Sequence, residues 1–447
     1  ERCGEGELME SLIYIAYALV GVLVGSLLSI LPGLHPLNFA GIGVFIYLTV
    51  PSMNPLGLAM IFVGMLVAYS IIGIITTTFM GSPDDSTMYM AFPNQKYLMY
   101  GRGYEASVVC GMGSLGSLLL LLILALFASS MFPMFRKLIT PHTHWILMGV
   151  AAYILQSEWP KDWGSRAKTR LGRLKDGWAS LSAGWVTFFL AMMLGFIVLN
   201  VPITPLDKSF QNIMPVFVGF FAVPWVLTNL ISRATIPPQT TSNTFCVSKK
   251  DVVRGTTSGF LGGMFAAYTP IVTAGVGGVL AGHSTVTGGD TQFMISGSAG
   301  RFAYYVGAFF LFWVPLLHLT RGGMAWISSV VYQPKTGSEF WLLVSAIAIS
   351  GVVAFLLLVF LSRYISKIIA GYDYRKISLL VLIVIFGMVF WFAGFEGLIV
   401  MAIATGIGLI PPMFRTRRLN LIIGFFFPVF LNMAGIGAAV AKLLGVY

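Results

Sequence analysis

Charged side chains are scarce in this chain: they make up 10% of its 447 residues, whereas 57% of the residues are hydrophobic. Soluble domains carry about 25% charged residues, so this balance excludes a water-soluble globular protein. Cysteine is scarce too, since the sequence contains Cys3, Cys110 and Cys246 and no others. Three scattered cysteines exclude a disulfide framework and a cysteine metal site. Nothing resembles a Walker A phosphate loop, which argues against ATP coupling within the chain.

What the sequence has instead is a series of apolar runs close to the thickness of a membrane. A helix needs about 20 apolar residues to cross a bilayer. Long runs occur at Leu12–Leu31, Leu56–Met80, Ser107–Phe132, Trp178–Val201, Val216–Ile231, Ala303–Leu319, Trp341–Leu361, Leu379–Phe392 and Leu398–Ile410, and shorter ones at Leu37–Val50 and Trp145–Leu155. We therefore expect an all-α polytopic membrane protein with roughly 10 to 13 membrane segments, and not an enzyme.

The basic residues mark one face of the membrane. Seventeen of the 27 Lys and Arg residues fall in four connections between apolar runs: Lys161–Lys175, Arg233–Arg254, Arg363–Lys376 and Arg415–Arg418. Connections rich in Lys and Arg remain in the cytoplasm, so all four are expected on that side. The net charge of +11 then reflects orientation in the bilayer rather than binding to nucleic acid.

Two parts of the chain share one order of residue types. Each has a Gly, a Pro seven residues later, an Asp followed by a hydroxyl residue, and a Gly-Arg pair: Gly25, Pro32, Asp84-Asp85 and Arg102 in the first, Gly263, Pro270, Asp290 and Arg301 in the second. The basic connections predict that the two copies enter the membrane from opposite faces. Such inverted-topology repeats are typical of secondary transporters, which bind substrate near the bilayer midplane. The alternative is chance recurrence in a chain with 50 Gly and 21 Pro.

This pattern suggests a division of the chain into four parts. Residues 1–8 are expected to form an N-terminal tail, and residues 9–175 the first transmembrane repeat. Residues 176–248 would be connecting transmembrane helices, and residues 249–447 the second repeat with the C-terminal helices.

Each copy interrupts an apolar run with broken or re-entrant helix. Pro32 lacks an amide donor and Gly33 allows unusual backbone angles, so a continuous helix is not expected there. The next short helix, with Asn38 as its cap, would offer free N–H groups to an anionic substrate. Thr269 and Pro270 are the second break, and the glycines after it would let the backbone approach a substrate. The alternative is a proline kink with glycine packing faces. Two histidines lie beside these breaks and would contact substrate or move a proton: His35 and His283.

Carboxylates next to apolar runs are the sharper functional signal. Asp84, Asp85 and Asp290 each follow such a segment. With the hydroxyls of Ser86, Thr87 and Thr291 they would supply the hard oxygen ligands that Na⁺ requires, and a carboxylate alone can carry a proton. The alternative is that both groups cap helices at the water interface. No cofactor beyond Na⁺ or H⁺ is expected.

The two Gly-Arg pairs complete the predicted site. Arg102 and Arg301 would neutralise these aspartates or hold an anionic substrate by a bidentate contact. Ser82 and Pro83, next to the paired aspartates, are expected to line the same substrate site. For both arginines the alternative is a side chain that reaches the lipid headgroups.

The first-half motifs, Pro32-Gly33-Leu34, Gly81-Ser82-Pro83 and Gly101-Arg102-Gly103, resemble those of the TctA family, the large membrane subunit of tripartite tricarboxylate transporters. The chain departs from that family where Ser82–Asp85 replaces a Pro-Gly-Thr-Pro motif and where Thr269-Pro270-Ile271 replaces a Pro-Gly pair. The resemblance implies a gradient-driven carrier of a small organic anion, a carboxylate, in the prokaryotic cytoplasmic membrane. It also implies a small membrane subunit and an extracytoplasmic binding protein as partners.

Two other functions fit parts of the pattern. A translocase for a polyprenyl phosphate or another lipid headgroup would use Arg102 and Arg301 to hold the phosphate. An intramembrane aspartyl protease would need paired aspartates, of which Gly289-Asp290 and Tyr372-Asp373 are superficial versions. Thr287 and the reversed order of the two motifs argue against the protease.

Overall fold

The structure is a computed structural model, and its described residues form a helical protein. It describes residues 2–34, 36–50, 52–156, 169–201, 203, 213–231, 234–242, 245, 247–270, 272–285 and 289–445. Within these ranges no β-strand occurs, and extended pairing is limited to one antiparallel bridge between Thr235 and Asp373. The expected all-α fold is therefore confirmed.

The described ranges contain helices of very different lengths. Their bounds are α1 Arg2–Ile30, α2 Pro36–Thr49, α3 Pro55–Ile72, α4 Ala91–Met99, α5 Gly103–Ile139, α6 Thr143–Gln156, α7 Arg170–Asn200, α8 Ile213–Phe217, α9 Val223–Ile231, α10 Lys249–Tyr268, α11 Ala274–Thr285, α12 Gly289–Trp313, α13 Gly323–Val331, α14 Gly337–Ile369, α15 Tyr374–Phe414, α16 Leu419–Met433 and α17 Gly437–Leu443. Two π-helical turns, Thr76–Met80 and Val218–Ala222, and one 3₁₀ turn, Thr140–His142, lie between them.

Local capping chemistry fixes several helix starts. The Asn54 side chain accepts a hydrogen bond from the Gly57 amide at 3.0 Å and Pro55 follows it, so α3 begins there. At the start of α14 the Thr336 hydroxyl accepts a hydrogen bond from the Glu339 amide, and the Glu339 side chain accepts one from the Lys335 amide. Side-chain caps of this kind satisfy amides that the helix itself leaves unpaired.

Seven of the described helical segments are long and apolar enough to cross a bilayer: Met9–Ile30, Pro55–Ile72, Gly103–Gln156, Arg170–Asn200, Ile213–Ile231, Gly337–Ile369 and Tyr374–Phe414. An eighth is added if α16 and α17, which meet at 119°, form one broken span. The sequence predicts more membrane segments than these because its apolar runs also include α2, α6 and α12 and fall twice within α15. Helix α15 is indeed interrupted at Gly394, whose φ of 72° and ψ of −165° are not helical.

The chain divides into two compact units. The first contains residues 1–138 and 229–381, and the second contains residues 139–228 and 382–447. Within the second unit α7 packs tightly against α16. A Cβ on Gly195 of α7 would collide with the Phe425 carbonyl of α16, and a Cβ on Gly424 of α16 would collide with the Phe188 carbonyl of α7. Close approach through glycine is a common way for membrane helices to associate.

The first unit contains two helix groups built in the same order. In the first, α1 and α3 run parallel, since Gly21 packs on the Ile61 carbonyl and Gly25 on that of Met65. The short helix α2 lies between them in the chain. We call α1, α2 and α3 the first trio.

The second trio consists of α10, α11 and α12 and repeats this geometry. Gly259 packs on the Ser296 carbonyl and Gly263 on that of Gly300, so α10 and α12 are also parallel. Gly25 and Gly263 therefore occupy equivalent places, and the chain breaks soon after each. The helices end at Ile30 and Tyr268, close to the two prolines that the sequence comparison aligned.

The two trios run in opposite directions. Tyr69 of α3 lies against Tyr305 of α12, with ring centroids 5.5 Å apart, and Gly73 lies against the Arg301 side chain. The chain direction from Tyr69 to Gly73 therefore corresponds to the reverse direction from Tyr305 to Arg301. Helices α3 and α12 are antiparallel. The trios are two similar groups with inverted orientation.

The helices that follow each trio pack on the other trio. Helix α4 contacts α12, whereas α13 contacts α2 and α3. The next helices do the same, since Gly113 of α5 lies against the Ile295 carbonyl of α12 and α14 packs on α1 and α3. Because the helices after each trio pack on the other trio, the two trios form one continuous core in the first unit.

Candidate functional site

The segment between α3 and α4 carries the paired aspartates. After α3 the chain forms the π-helical turn Thr76–Met80 and then reverses at Gly81, whose φ is 61°. Any other residue at position 81 would have to adopt a left-handed backbone conformation, which is unfavourable for residues with a side chain. It would also collide with the side chains of Gln95, Asn229 and Tyr374. The backbone is therefore held tightly just before the aspartates.

Asp84 is surrounded by protein donors on both carboxylate oxygens. Its Oδ1 accepts hydrogen bonds from the amides of Ser86 and Thr87 at 3.0 and 2.8 Å, and from their hydroxyls at 2.6 and 2.8 Å. Its Oδ2 accepts from the Tyr69 hydroxyl at 2.6 Å and from Arg301 Nη2 at 3.0 Å. Such dense donation stabilises the ionised carboxylate and fixes its orientation.

Arg301 lies in the interior of α12 and is 1% exposed. Its guanidinium stands over the Tyr69 ring at 4.7 Å and the Tyr305 ring at 5.8 Å, which adds cation–π attraction to the ion pair with Asp84. Nε and Nη1 of Arg301 are buried and form no hydrogen bond with any described residue. Gly73 makes room for this group, since a Cβ there would lie 2.5 Å from Nη2.

Asp85 is the second acid of the site and is more deeply buried than Asp84, with 9% of its surface exposed. It is within electrostatic range of Asp84 and Arg301 and also of Tyr304 and Tyr305. Among the residues that the structure describes, it has no ion pair. The cluster thus contains two carboxylates and one guanidinium, so one acid lacks a matching positive charge.

Hydroxyl groups connect this loop to the turn before it. Thr77 donates to the Thr87 hydroxyl at 2.8 Å, and Thr78 donates to the Asn94 side chain at 3.0 Å. Ser82 and Pro83 are buried nearby, and the Ser82 hydroxyl has no hydrogen-bond partner among the described residues. The predicted residues Ser82 to Thr87 therefore belong to one polar segment that is buried except at Asp84.

Asp290 and Thr291 lie elsewhere, in the first turn of α12. Asp290 pairs with Lys96 at 2.5 Å, with both side chains well exposed, and Thr291 shares a hydrogen bond of 2.9 Å with Tyr97. The hydrogen bond to Asp290 raises the pKa of Lys96. A carboxylate at this position is favoured by the positive end of the helix dipole.

Arg102 also lies apart from the paired aspartates. It binds Glu105 through two hydrogen bonds of 2.7 and 2.6 Å and stands 4.7 Å from the Tyr97 ring centroid. Of the two predicted arginines, Arg301 alone is paired with Asp84. The Gly-Arg pairs are consequently not equivalent: Gly300 aligns with Met65 in the trios, so Arg301 corresponds to Leu66.

The first chain break has the expected form. Helix α1 ends at Ile30, Gly33 has a φ of 81°, and α2 begins at Pro36. Pro32 is buried within the break. Asn38 is the third residue of α2 and is 2% exposed, so it lies inside the first turn instead of preceding it. His35 lies outside the described residues.

The second chain break separates α10 from α11, with Thr269 buried and Pro270 next to it. The glycines that follow serve packing: Gly277 lies against the Gly262 backbone and Gly278 against the Tyr89 ring. Their close approach is thus to protein groups, as the packing alternative holds. His283 lies in α11, and its side chain is outside the described part of the structure.

Sequence reasoning missed the tyrosines of the site. Tyr69 lies in a long apolar run and Tyr305 in the interior of α12, where each looks like an ordinary packing residue. A polar hydroxyl within a continuous membrane segment was the available signal, because buried tyrosine usually finds a hydrogen-bond partner. Within the described residues no group of three or more His, Cys, Asp or Glu side chains is arranged to hold a metal ion.

These features define a multi-pass helical membrane protein in which a buried arginine of one helix group pairs with a partly buried aspartate that follows the other, inverted group. Residues 15–423 match the family model described as "Tripartite tricarboxylate transporter TctA family". The match covers most of the chain, which therefore belongs to the TctA family. The resemblance found in the first-half motifs is confirmed.

A similar curated protein is an uncharacterized protein of Methanocaldococcus jannaschii, 29% identical over 119 residues. The alignment covers 27% of this chain and 29% of that protein, so the match spans less than a third of that relative's length. No solved structure matches the chain significantly.

Proposed function

We propose that this protein is the large membrane subunit of a secondary transporter that moves a small carboxylate across the prokaryotic cytoplasmic membrane by alternating access. Membership of the TctA family supports the transport role, and the inverted trios suit a site that opens to alternate faces. The small membrane subunit and extracytoplasmic binding protein typical of such systems are proposed as partners on the same family basis.

The observation that carries the proposal is the state of Arg301. It is fully buried near the crossing of α3 and α12, and two of its N–H-bearing nitrogens lack partners among the described residues. A buried donor without a partner costs about 1–3 kcal/mol, and a substrate carboxylate would remove that penalty. The planar guanidinium suits a carboxylate, and Asp84 holds it in place from the other side.

We assign the coupling role to Asp85 and to a proton. Asp84 already accepts six hydrogen bonds from protein groups, which leaves little room for Na⁺. Asp85 is buried without an ion pair of its own, and burial favours the neutral form of such an acid. The charged and titratable groups in range of it are Asp84, Arg301, Tyr69, Tyr89, Tyr304 and Tyr305.

Uptake by the purified chain in proteoliposomes tests this proposal. Radiolabelled citrate and, separately, radiolabelled succinate are supplied under an imposed H⁺ gradient, an imposed Na⁺ gradient, or neither. We expect accumulation of one of these acids under the H⁺ gradient. Uptake that ignored both gradients would contradict secondary transport, and dependence on Na⁺ alone would contradict the role of Asp85.

Two variants make the assignment specific. Asp85→Asn should abolish H⁺-driven accumulation and retain exchange of labelled for unlabelled substrate, because exchange needs no net proton movement. Asp290→Asn is the matched control, since it removes an acid that is exposed and paired with Lys96. Equal losses in both variants would remove the case for Asp85.

The contacts in the structure do not support the two other functions, the lipid-headgroup translocase and the aspartyl protease. A phosphate held by Arg102 and Arg301 together is not favoured, because Arg102 is bound to Glu105 and only Arg301 joins the buried site. For the aspartyl protease, Asp290 is paired with Lys96, and Asp373 accepts a hydrogen bond from the Arg375 amide. Each of these aspartates is engaged in its own local contact.

A further inference from the structure

A second group of polar side chains lies where α5, α10 and the segment before α13 meet. It comprises Arg136 near the end of α5, Tyr268 at the end of α10, and Arg321 just before α13. We call these three residues the basic cluster. None of them belongs to the Asp84–Arg301 site.

Defined contacts hold the basic cluster together. Arg136 Nη1 donates a hydrogen bond of 2.7 Å to the Leu317 carbonyl, which ties α5 to the segment after α12. The Tyr268 ring is stacked on Phe132 of α5, with centroids 6.1 Å apart and planes 18° apart. Tyr268 interacts electrostatically with both arginines, and these interact with each other.

The charge of the basic cluster is not balanced. The ion pairs among the described residues are Lys96–Asp290, Arg102–Glu105 and Asp84–Arg301, so neither cluster arginine has an acidic partner there. Nε of Arg321 and the Tyr268 hydroxyl are buried and form no hydrogen bond with any described residue. Two like charges beside two unpaired polar atoms are unfavourable, and an anion bound between them would offset that cost.

The segment that carries Arg321 is held in an unusual conformation. Leu316 and His318 have φ values of 65° and 42°, in the left-handed region that non-glycine residues seldom occupy. Backbone contacts fix it, since the Leu319 amide donates to the Leu311 carbonyl at 3.3 Å. Strained backbone of this kind persists where the surroundings enforce it, and it is concentrated at ligand sites.

We propose that the basic cluster is a second oxyanion-binding site, in which the Arg321 and Arg136 guanidiniums and the Tyr268 hydroxyl bind one carboxylate or phosphate group. Helix α10 rises about 30 Å over its length, so the cluster lies at the opposite end from Lys249 and Lys250. The positive-inside rule predicts the extracytoplasmic side for that end. The oxyanion comes from a soluble carboxylate or from a phospholipid headgroup.

Equilibrium dialysis of radiolabelled citrate against the purified full chain tests the first source. If Arg301 also binds citrate, two classes of citrate-binding site are expected, one that depends on Arg301 and one that depends on the basic cluster. Arg321→Gln should weaken one class by roughly tenfold or more, because it removes a charge-assisted contact. Tyr268→Phe keeps the ring stacked on Phe132 and should weaken the same class by a few-fold.

Lys137→Gln is the matched control, since it removes the same charge from an exposed residue next to Arg136. Arg301→Gln should affect only the other class, so a failure of the transport proposal would leave the class that depends on Arg321 intact. Native mass spectrometry of the protein with phosphatidylglycerol tests the second source. Lipid retained by the parent protein and by Lys137→Gln, and lost from Arg321→Gln, would assign the site to a headgroup phosphate. If neither citrate nor lipid binding responds to Arg321→Gln or Tyr268→Phe, the site does not exist.

Discussion

The two trios of the first unit have the same helix order and the same glycine contacts, yet they carry different chemistry. The segment after α3 holds Asp84 and Asp85, whereas the segment after α12 holds Leu316 and Arg321 in the corresponding place. Conversely, Arg301 of the second trio corresponds to Leu66 of the first. A symmetric scaffold thus brings the two aspartates that follow the first trio together with an arginine of the second trio, which makes a single asymmetric site.

The largest expected effect comes from breaking the contact between the trios. Arg301→Gln leaves the buried Asp85 and the partly buried Asp84 without a cation. Loss of one member of a fully buried ion pair costs about 3–5 kcal/mol, which is an upper bound here because the Asp84 side chain is 28% exposed. We expect a correspondingly lower free energy of unfolding, measured by denaturant titration in detergent micelles. Substrate uptake should be lost as well.

Arg102→Gln is the control for that experiment. Arg102 is 46% exposed and pairs with Glu105 three residues further along the chain, and an ion pair with a solvent-exposed member is worth about 0.2–1 kcal/mol. The contrast between the two arginines would disappear if the Gly-Arg pairs were equivalent, as the sequence comparison alone suggests. Similar losses in both variants would therefore contradict the asymmetry.

Gly81→Ala should have the next largest effect, because it disturbs the aspartate segment without touching a charge. The new Cβ would collide with Gln95, Asn229 and Tyr374, and φ at 61° is unfavourable for alanine. We expect destabilisation of about 1–3 kcal/mol, together with weaker substrate binding. A shift of the thermal unfolding midpoint in detergent measures the first effect.

Gly149→Ala provides a matched comparison for Gly81→Ala. Gly149 is in helix α6 and has open space around its Cβ position, so alanine should be neutral or stabilise the helix by about 0.5–1 kcal/mol. A Gly81→Ala protein as stable as Gly149→Ala would show that the loop adapts freely. The aspartates would then not be rigidly positioned.

These contrasts show what the sequence could predict. Apolar runs and basic connections predicted a polytopic helical protein, and the breaks near Pro32 and Pro270 marked the end of the first helix in each trio. Backbone geometry of that kind follows from residue type, because proline lacks a donor and glycine tolerates close packing.

The partners of the site could not be predicted in the same way. Asp84 and Arg301 are far apart in the sequence and come together only because α3 crosses α12 in the folded unit. The sequence comparison aligned Asp84 with Asp290, but Asp290 begins α12 while Asp84 follows α3. Spacing along the chain carries no information about which elements cross, so the sequence pattern places Asp290 with the paired aspartates although the fold does not.

A smaller effect is expected from Tyr69→Phe, which sharpens the role of the first trio. The variant removes the 2.6 Å hydrogen bond to Asp84 and keeps the ring beneath Arg301. Loss of a hydrogen bond to a charged group costs about 1.5–3 kcal/mol at most, and less where other donors remain. With five other donors on Asp84, we expect a modest loss of stability and a change in substrate affinity, measured by ligand-dependent thermal shift. No change in either quantity would show that Tyr69 acts through its ring alone.

The smallest effect is expected from Asp290→Asn, the acid that the sequence comparison placed beside Asp84. Its pair with Lys96 is exposed to solvent, so water and salt compensate for the lost interaction. Unfolding and uptake should both stay within the scatter of repeated measurements, and the pKa of Lys96 should fall because the hydrogen bond that raises it is weakened. Reactivity of Lys96 toward an amine-selective reagent, followed against pH by mass spectrometry, measures that shift. A large loss of uptake in this variant would instead return Asp290 to the transport site and make the two copies functionally alike.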